Sequence, residues 1–114
     1  MSETQHFATR SVHAGYAPLD NGAAATMPIY ASAAFDMENA VRGDQLAAGE
    51  TAGFSYSRVA NPTVDALEKR IASLEGGIAA VAVSSGMAAV SYALLCASEG
   101  GGRIISPTNL YGAS

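Results

Sequence analysis

Three short runs in this chain place residues where chemistry on an anionic, flat ligand is feasible. The first is Ser84-Ser85-Gly86-Met87, between an apolar run and a long helix-forming stretch. The first amides of a helix lack internal acceptors, and the helix dipole is positive there. A small residue followed by glycine lets an anion approach the backbone closely, which is the ordinary physics of a phosphate site. Taken alone, the same residues also suit a tight turn that binds nothing. The second run is Tyr56-Ser57-Arg58, just before Asn61-Pro62-Thr63. Arginine offers a planar fork matched to phosphate or carboxylate, and a tyrosine hydroxyl adds one donor. On an extended backbone residues i and i+2 point the same way. A surface arginine beside a packed tyrosine fits the local residues equally well. The third is Asn109-Leu110-Tyr111-Gly112, in which a tyrosine ring could cover a flat ligand. Beyond the carboxyl end of a strand this is where α/β proteins gather ligands; a half-buried loop tyrosine is the alternative.

These residues need elements to hold them. Asn61-Pro62 reads as a helix start, asparagine capping and proline at the first helical position. Val64, Leu67, Ile71 and Leu74 follow at the spacing of one helical face. Asp65 lies early and Lys69 and Arg70 late, as the dipole prefers, and Gly76-Gly77 ends the helix. Ile78 to Val83 is a short β-branched run expected to form a buried strand. MAAVSYALLCAS is apolar on nearly every face and is expected to be a buried helix, with Cys96 in the core and Gly100 to Gly102 as its stop. Arg103 to Ser106 reads as a second strand. Strand, helix and strand in this order predict a βαβ unit and an α/β fold. Upstream, residues 1–55 show no sustained period. Ala40 to Ala48 is read as a short helix, and the rest as an irregular arm. Phe7, Val12, Tyr16, Met27, Ile29, Tyr30 and Phe35 make it too apolar for a disordered tail, so it is expected to pack on another chain.

Bulk properties narrow the function. The chain has 114 residues, of which 49% are hydrophobic and only 14% charged. Soluble domains average about 25% charged. A short chain so poor in charge points to a piece of something larger or to a subunit with extensive interfaces. The net charge of −4, with scattered arginines and one lysine, argues against nucleic acid. A single cysteine excludes a disulfide framework. His6 and His13 lack ligand-spaced partners, the carboxylates form no evident pair, and no metal site is expected. No signal peptide or membrane span is present, so the expected location is cytoplasmic. SSGM is not GxGxxG and no GxxxxGKS/T occurs, which sets aside those two nucleotide fingerprints.

The order and spacing of these elements carry a resemblance. YSRVANPTVDALEKRIASLEGG, then AVSSGMAA, then NLYGAS, with TRSVHAGY and MPIY upstream, resemble the pyridoxal-phosphate (PLP) enzymes of cysteine and methionine metabolism, the trans-sulfuration family. The resemblance implies the N-terminal part of a fold-type-I PLP-dependent transferase: an arm over 1–55 at a subunit interface, then the start of the large cofactor-binding domain over 56–114. It implies a homotetramer built of dimers, with active sites at the dimer interface. Ser85, Gly86 and Met87 would hold the cofactor phosphate, Tyr56 and Arg58 would reach the phosphate of the neighbouring subunit's cofactor, and Tyr111 would stack on the pyridine ring and assist proton transfer. Lys69, the only lysine, lies on the charged side of its helix and does not match the Schiff-base lysine of the family. That lysine and the substrate-carboxylate arginine are expected beyond Ser114, and the chain is expected to be an N-terminal fragment inactive alone.

Within the family, TRSVHAGYAPLDNGAAATMPIY and SYALLCAS look most like the O-acetylhomoserine sulfhydrylase branch, which implies γ-replacement of acetate by sulfide or a thiol in methionine biosynthesis. SSGM is equally at home in the γ-lyases, whereas Ala113 disfavours a methionine γ-lyase. Cystathionine γ-synthase or a γ-lyase of the same family is the alternative activity. A non-catalytic assembly module is the alternative of another class.

Overall fold

The structure is a computed structural model that describes residues 5–99 and 101–112. They fall into two compact units, within Met1–Ala80 and Val81–Ser114. The first contains helix α1 (Phe7–His13), a 3-10 turn (Pro18–Asn21), α2 (Ala40–Ala48) and α3 (Pro62–Glu75); the second contains α4 (Gly86–Ser98). None of the described helices is long and apolar enough to cross a membrane.

Helix α3 forms as its sequence predicts. Asn61 accepts a hydrogen bond from the Thr63 amide at 2.8 Å, and Pro62 occupies the first turn. Gly76 ends the helix at φ +69, the left-handed conformation that suits glycine. Asp65 and Lys69 pair at i, i+4 with 2.6 Å between Oδ2 and Nζ, and the Lys69 side chain is 63% exposed. The lysine is therefore on the solvent side, as expected. Helix α2 also matches its expected range, with Asn39 accepting from the Arg42 amide at 3.0 Å and Gly49 at φ +72 closing it.

Helix α1 was not expected. FATRSVH has no side-chain cap and no acid in its first turn, so nothing local announces it. It forms where it packs on α3. Among the described residues of this unit, Ala14, Ala66 and Ala72 are the buried apolar ones. Small side chains let the two helices approach closely, and arginines tie them from both sides. Arg10 Nη1 donates to the Ser73 carbonyl, and Arg70 Nε donates to the Ala14 carbonyl at 2.9 Å. Gly15 completes the approach at φ +78, where an added Cβ would lie 2.4 Å from the Ala66 carbonyl oxygen. The predicted stripe of α3 lies elsewhere: Val64, Leu67 and Ile71 are 40–52% exposed.

Downstream, Tyr30 and its neighbours are stitched to the start of α3. The Tyr30 amide donates to Thr63 Oγ1 at 2.9 Å, and Thr63 Oγ1 donates to the Pro28 carbonyl at 3.1 Å. Phe35 and Phe54 stack at a tilt of 46° with centroids 5.7 Å apart.

The strand expectations are corrected. Neither Ile78–Val83 nor Arg103–Ser106 is a strand among the described residues. A strand satisfies its backbone only by pairing with a neighbour, and the only bridge among the described residues joins Ala34 to Tyr56. Side chains that a sheet would cover stand open, with Ile78, Val81 and Ile105 all above 80% exposed. The buried-helix expectation fails in the same way. α4 forms as predicted but has no buried residue, and Cys96 is exposed rather than in the core. The helix stops at Glu99, which takes the left-handed conformation at φ +51. Gly100, Ala113 and Ser114, each given a meaning by the sequence, lie outside the described residues.

Candidate functional site

Tyr56 and Arg58 are brought together, though not by the extended backbone that their spacing suggested. Tyr56 is extended in an antiparallel bridge with Ala34, flanked by bonds from the Phe35 amide to the Ser55 carbonyl (3.0 Å) and from the Ser57 amide to the Ala33 carbonyl (2.9 Å). The chain then turns tightly. The amides of Val59 and Ala60 both donate to the Tyr56 carbonyl, at 2.9 and 3.1 Å. This turn folds Arg58 back so that its Cζ lies 5.1 Å from the centroid of the Tyr56 ring. At that range the guanidinium is attracted to the ring face. Stacking leaves the guanidinium edge, which carries the donors, able to meet an anion. Tyr56 is 42% exposed and Arg58 is exposed, so the pair is accessible from solvent.

Beneath the pair lies a polar cluster that sequence reasoning had used only as a helix cap. Asn61 is buried, at 8% exposure. While Oδ1 caps α3, Nδ2 donates to the Tyr30 carbonyl and to Ser57 Oγ, both at 2.9 Å. Ser57 Oγ in turn donates to the Ser32 carbonyl. Buried polar groups need partners, and every named atom of Asn61 has one. The sequence signal for this role was the NPT triplet; the Tyr30 carbonyl that Asn61 meets, 31 residues upstream, was too distant in sequence to foresee.

In the second unit, Ser85 is extended at φ −156 and caps α4, its Oγ accepting from the Ala88 amide at 3.1 Å. The hydroxyl keeps its proton for a further acceptor. Gly86 opens the helix, and a Cβ built on it meets nothing within 4 Å. Met87 is 38% exposed. Tyr111 lies in irregular chain after α4 and is 81% exposed. No group of three or more His, Cys, Asp or Glu residues that could hold a metal occurs among the described residues.

The family model for Cys/Met metabolism PLP-dependent enzymes matches residues 8–114. The L-methionine gamma-lyase of Pseudomonas putida is 44% identical over 108 residues, 95% of this chain and 27% of that protein. The O-acetyl-L-homoserine sulfhydrylase of Corynebacterium glutamicum is 48% identical over 108 residues, 95% of this chain and 25% of that protein. Among solved structures, a protein of Campylobacter jejuni assigned as O-acetylhomoserine (thiol)-lyase, and carrying a pyridoxyl-lysine phosphate, superposes with a TM-score of 0.75 at 36% identity, over 81% of this chain and 22% of that one. The chain thus spans about a quarter of the length of the curated relatives it matches.

Proposed function

Because this chain belongs to the Cys/Met metabolism PLP-dependent enzymes, with the N-terminal part of their α/β fold-type-I architecture, we propose that it serves a γ-replacement reaction. O-Acetylhomoserine and sulfide are converted to homocysteine and acetate: the γ carbon–oxygen bond breaks and a carbon–sulfur bond forms. A thiol in place of sulfide gives the corresponding thioether. The observation that supports this branch is the 48% identity to the Corynebacterium sulfhydrylase, against 44% to the Pseudomonas γ-lyase over the same length of alignment.

The residues present fit the family's cofactor. Its phosphate is a dianion, and a helix N-terminus that begins with glycine at Gly86 and carries the Ser85 hydroxyl at its cap suits such a group. We assign Ser85, Gly86 and Met87 to the phosphate of the same subunit, and Tyr56 and Arg58 to the phosphate of the neighbouring subunit's cofactor, in a homo-oligomer whose sites lie between subunits. Tyr111 covers the cofactor ring and moves a proton at Oη. When bound, PLP supplies an electron sink for carbanion chemistry on the amino-acid substrate. We assign no part in that chemistry to Lys69, which is paired to Asp65 on the solvent side of α3. The working location is the cytoplasm.

Two results test this reading. Full-length enzyme given O-acetylhomoserine and sulfide will produce homocysteine, and given methionine alone will release no 2-oxobutanoate. The reverse pattern would assign it to the γ-lyases, and absence of a visible absorbance band after PLP is added would remove it from catalysis altogether. Arg58→Ala in the same enzyme will raise the PLP dissociation constant about 10- to 100-fold, the range of one lost charge-assisted hydrogen bond. Unchanged affinity, measured by titrating PLP into the stripped enzyme, would refute the assignment of Arg58.

A further inference from the structure

We propose that Ser57 is a positioning residue for cofactor binding, acting through Arg58. The inference rests on the reading that Tyr56 and Arg58 hold a PLP phosphate. Ser57 stands between the two, half-buried where both neighbours are exposed. All of its outward bonds run to the scaffold. Its amide donates to the Ala33 carbonyl at 2.9 Å, and its hydroxyl donates to the Ser32 carbonyl while accepting from Asn61 Nδ2 at 2.9 Å. The turn is closed immediately afterwards by the two amides on the Tyr56 carbonyl. The backbone from which Arg58 departs is thereby pinned at one side to residues 32–33 and at the other to the cap of α3.

The consequence is pre-organisation. A free arginine side chain loses much rotamer freedom when it captures an anion. Here the guanidinium already lies over the Tyr56 ring, at 5.1 Å from Cζ to the centroid. That stacking holds only while the turn keeps its shape, and binding improves when the group is ordered beforehand. A hydroxyl is the group that serves both bonds at this position, because it donates to one neighbour and accepts from the other. Alanine removes both; threonine keeps both. Neither change touches the α3 cap, which uses Asn61 Oδ1, nor the second Asn61 bond to the Tyr30 carbonyl.

The test titrates PLP into full-length enzyme stripped of cofactor, with thermal unfolding of the stripped forms followed in parallel. Ser57→Ala will raise the dissociation constant about 3- to 10-fold, the range of one or two ordinary hydrogen bonds, and Ser57→Thr will restore it. In an Arg58→Ala background, Ser57→Ala will add less than about twofold, since the residue through which it acts is gone. If Arg58→Ala alone has no effect, the phosphate reading fails. If Arg58→Ala weakens binding but Ser57→Ala does not, this proposal fails and that reading stands. A Ser57→Ala effect that persists in full without Arg58 would also overturn it, by making Ser57 merely structural. Should Ser57→Ala not fold, Ser57→Cys, with its weak donor and acceptor, gives the same readout.

Discussion

Asn61→Ala will lower the stability of the folded protein by about 3 kcal/mol. The amide side chain makes three bonds from a buried position: the cap of α3 and two donations, to the Tyr30 carbonyl and to Ser57 Oγ. Loss of an asparagine cap removes about 1 kcal/mol. A part-buried carbonyl left without its donor adds about 1–3 kcal/mol. Asn61→Asp separates the two parts. It keeps the cap and suits the positive end of α3, but it loses both donors and turns an acceptor toward the Tyr30 carbonyl. It will therefore fall closer to alanine than to the parent. Chemical denaturation measures both, and hydrogen exchange will report faster opening of residues 30–34 in each variant. A loss below about 1 kcal/mol for Asn61→Ala would mean that the cap alone matters and that residues 30–32 are held by something else.

The second large effect is expected at Gly15. At φ +78 a side chain is strained whatever the space, and here there is none: the nearest atoms to an added Cβ are the Ala66 carbonyl oxygen at 2.4 Å, the Arg70 amide nitrogen at 2.9 Å and Lys69 Cβ at 3.0 Å. Two of the three are backbone, so α1 and α3 must separate for any larger residue to fit. Gly15→Ala will cost about 3 kcal/mol, combining left-handed strain of about 1–2 kcal/mol with overpacking of about 1–3 kcal/mol. Gly22→Ala is the matched control. Gly22 is also left-handed, at φ +64, but a Cβ there meets nothing within 4 Å, so only the strain of about 1–2 kcal/mol remains. Thermal unfolding ranks the pair. Hydrogen exchange will show loss of protection in α1 for Gly15→Ala alone, because separation breaks the bonds from Arg10 to Ser73 and from Arg70 to Ala14. Equal effects at the two glycines would show that the close approach has no energetic weight.

Both predictions concern residues that a motif reading passes over. TRSVHAGY and NPT served as markers of a family, while their physical task is to join segments far apart in the chain. Arg10, Ala14 and Gly15 lock α1 to α3, and Ser57, Asn61 and Thr63 lock residues 28–34 to the start of α3. Arg58 and Tyr56, the residues assigned to the ligand, sit on top of the second lock.

The sequence by itself determined what depends on neighbours within a turn or so. Asn39, Asn61 and Ser85 cap their helices, and Gly49 and Gly76 end theirs at positive φ, because those interactions close over two to four residues. Lys69 was legible as a solvent-side residue because it falls off the face that Val64, Leu67, Ile71 and Leu74 share, and in the structure it pairs there with Asp65. The tertiary structure alone decided the rest. α1 exists because α3 receives it, and FATRSVH carries no local cap that would signal it. Arg58 reaches the Tyr56 ring through a turn anchored on residues 32–33, not through the extended spacing that first paired them. The apolar runs at 78–83 and 103–106 state a preference for strand, but a strand is a property of two segments, and no described segment pairs with either. The reason is the same in each case. Helix caps and turns satisfy backbone groups locally, whereas packing, close approach and sheet pairing satisfy them with residues whose position only the folded chain supplies.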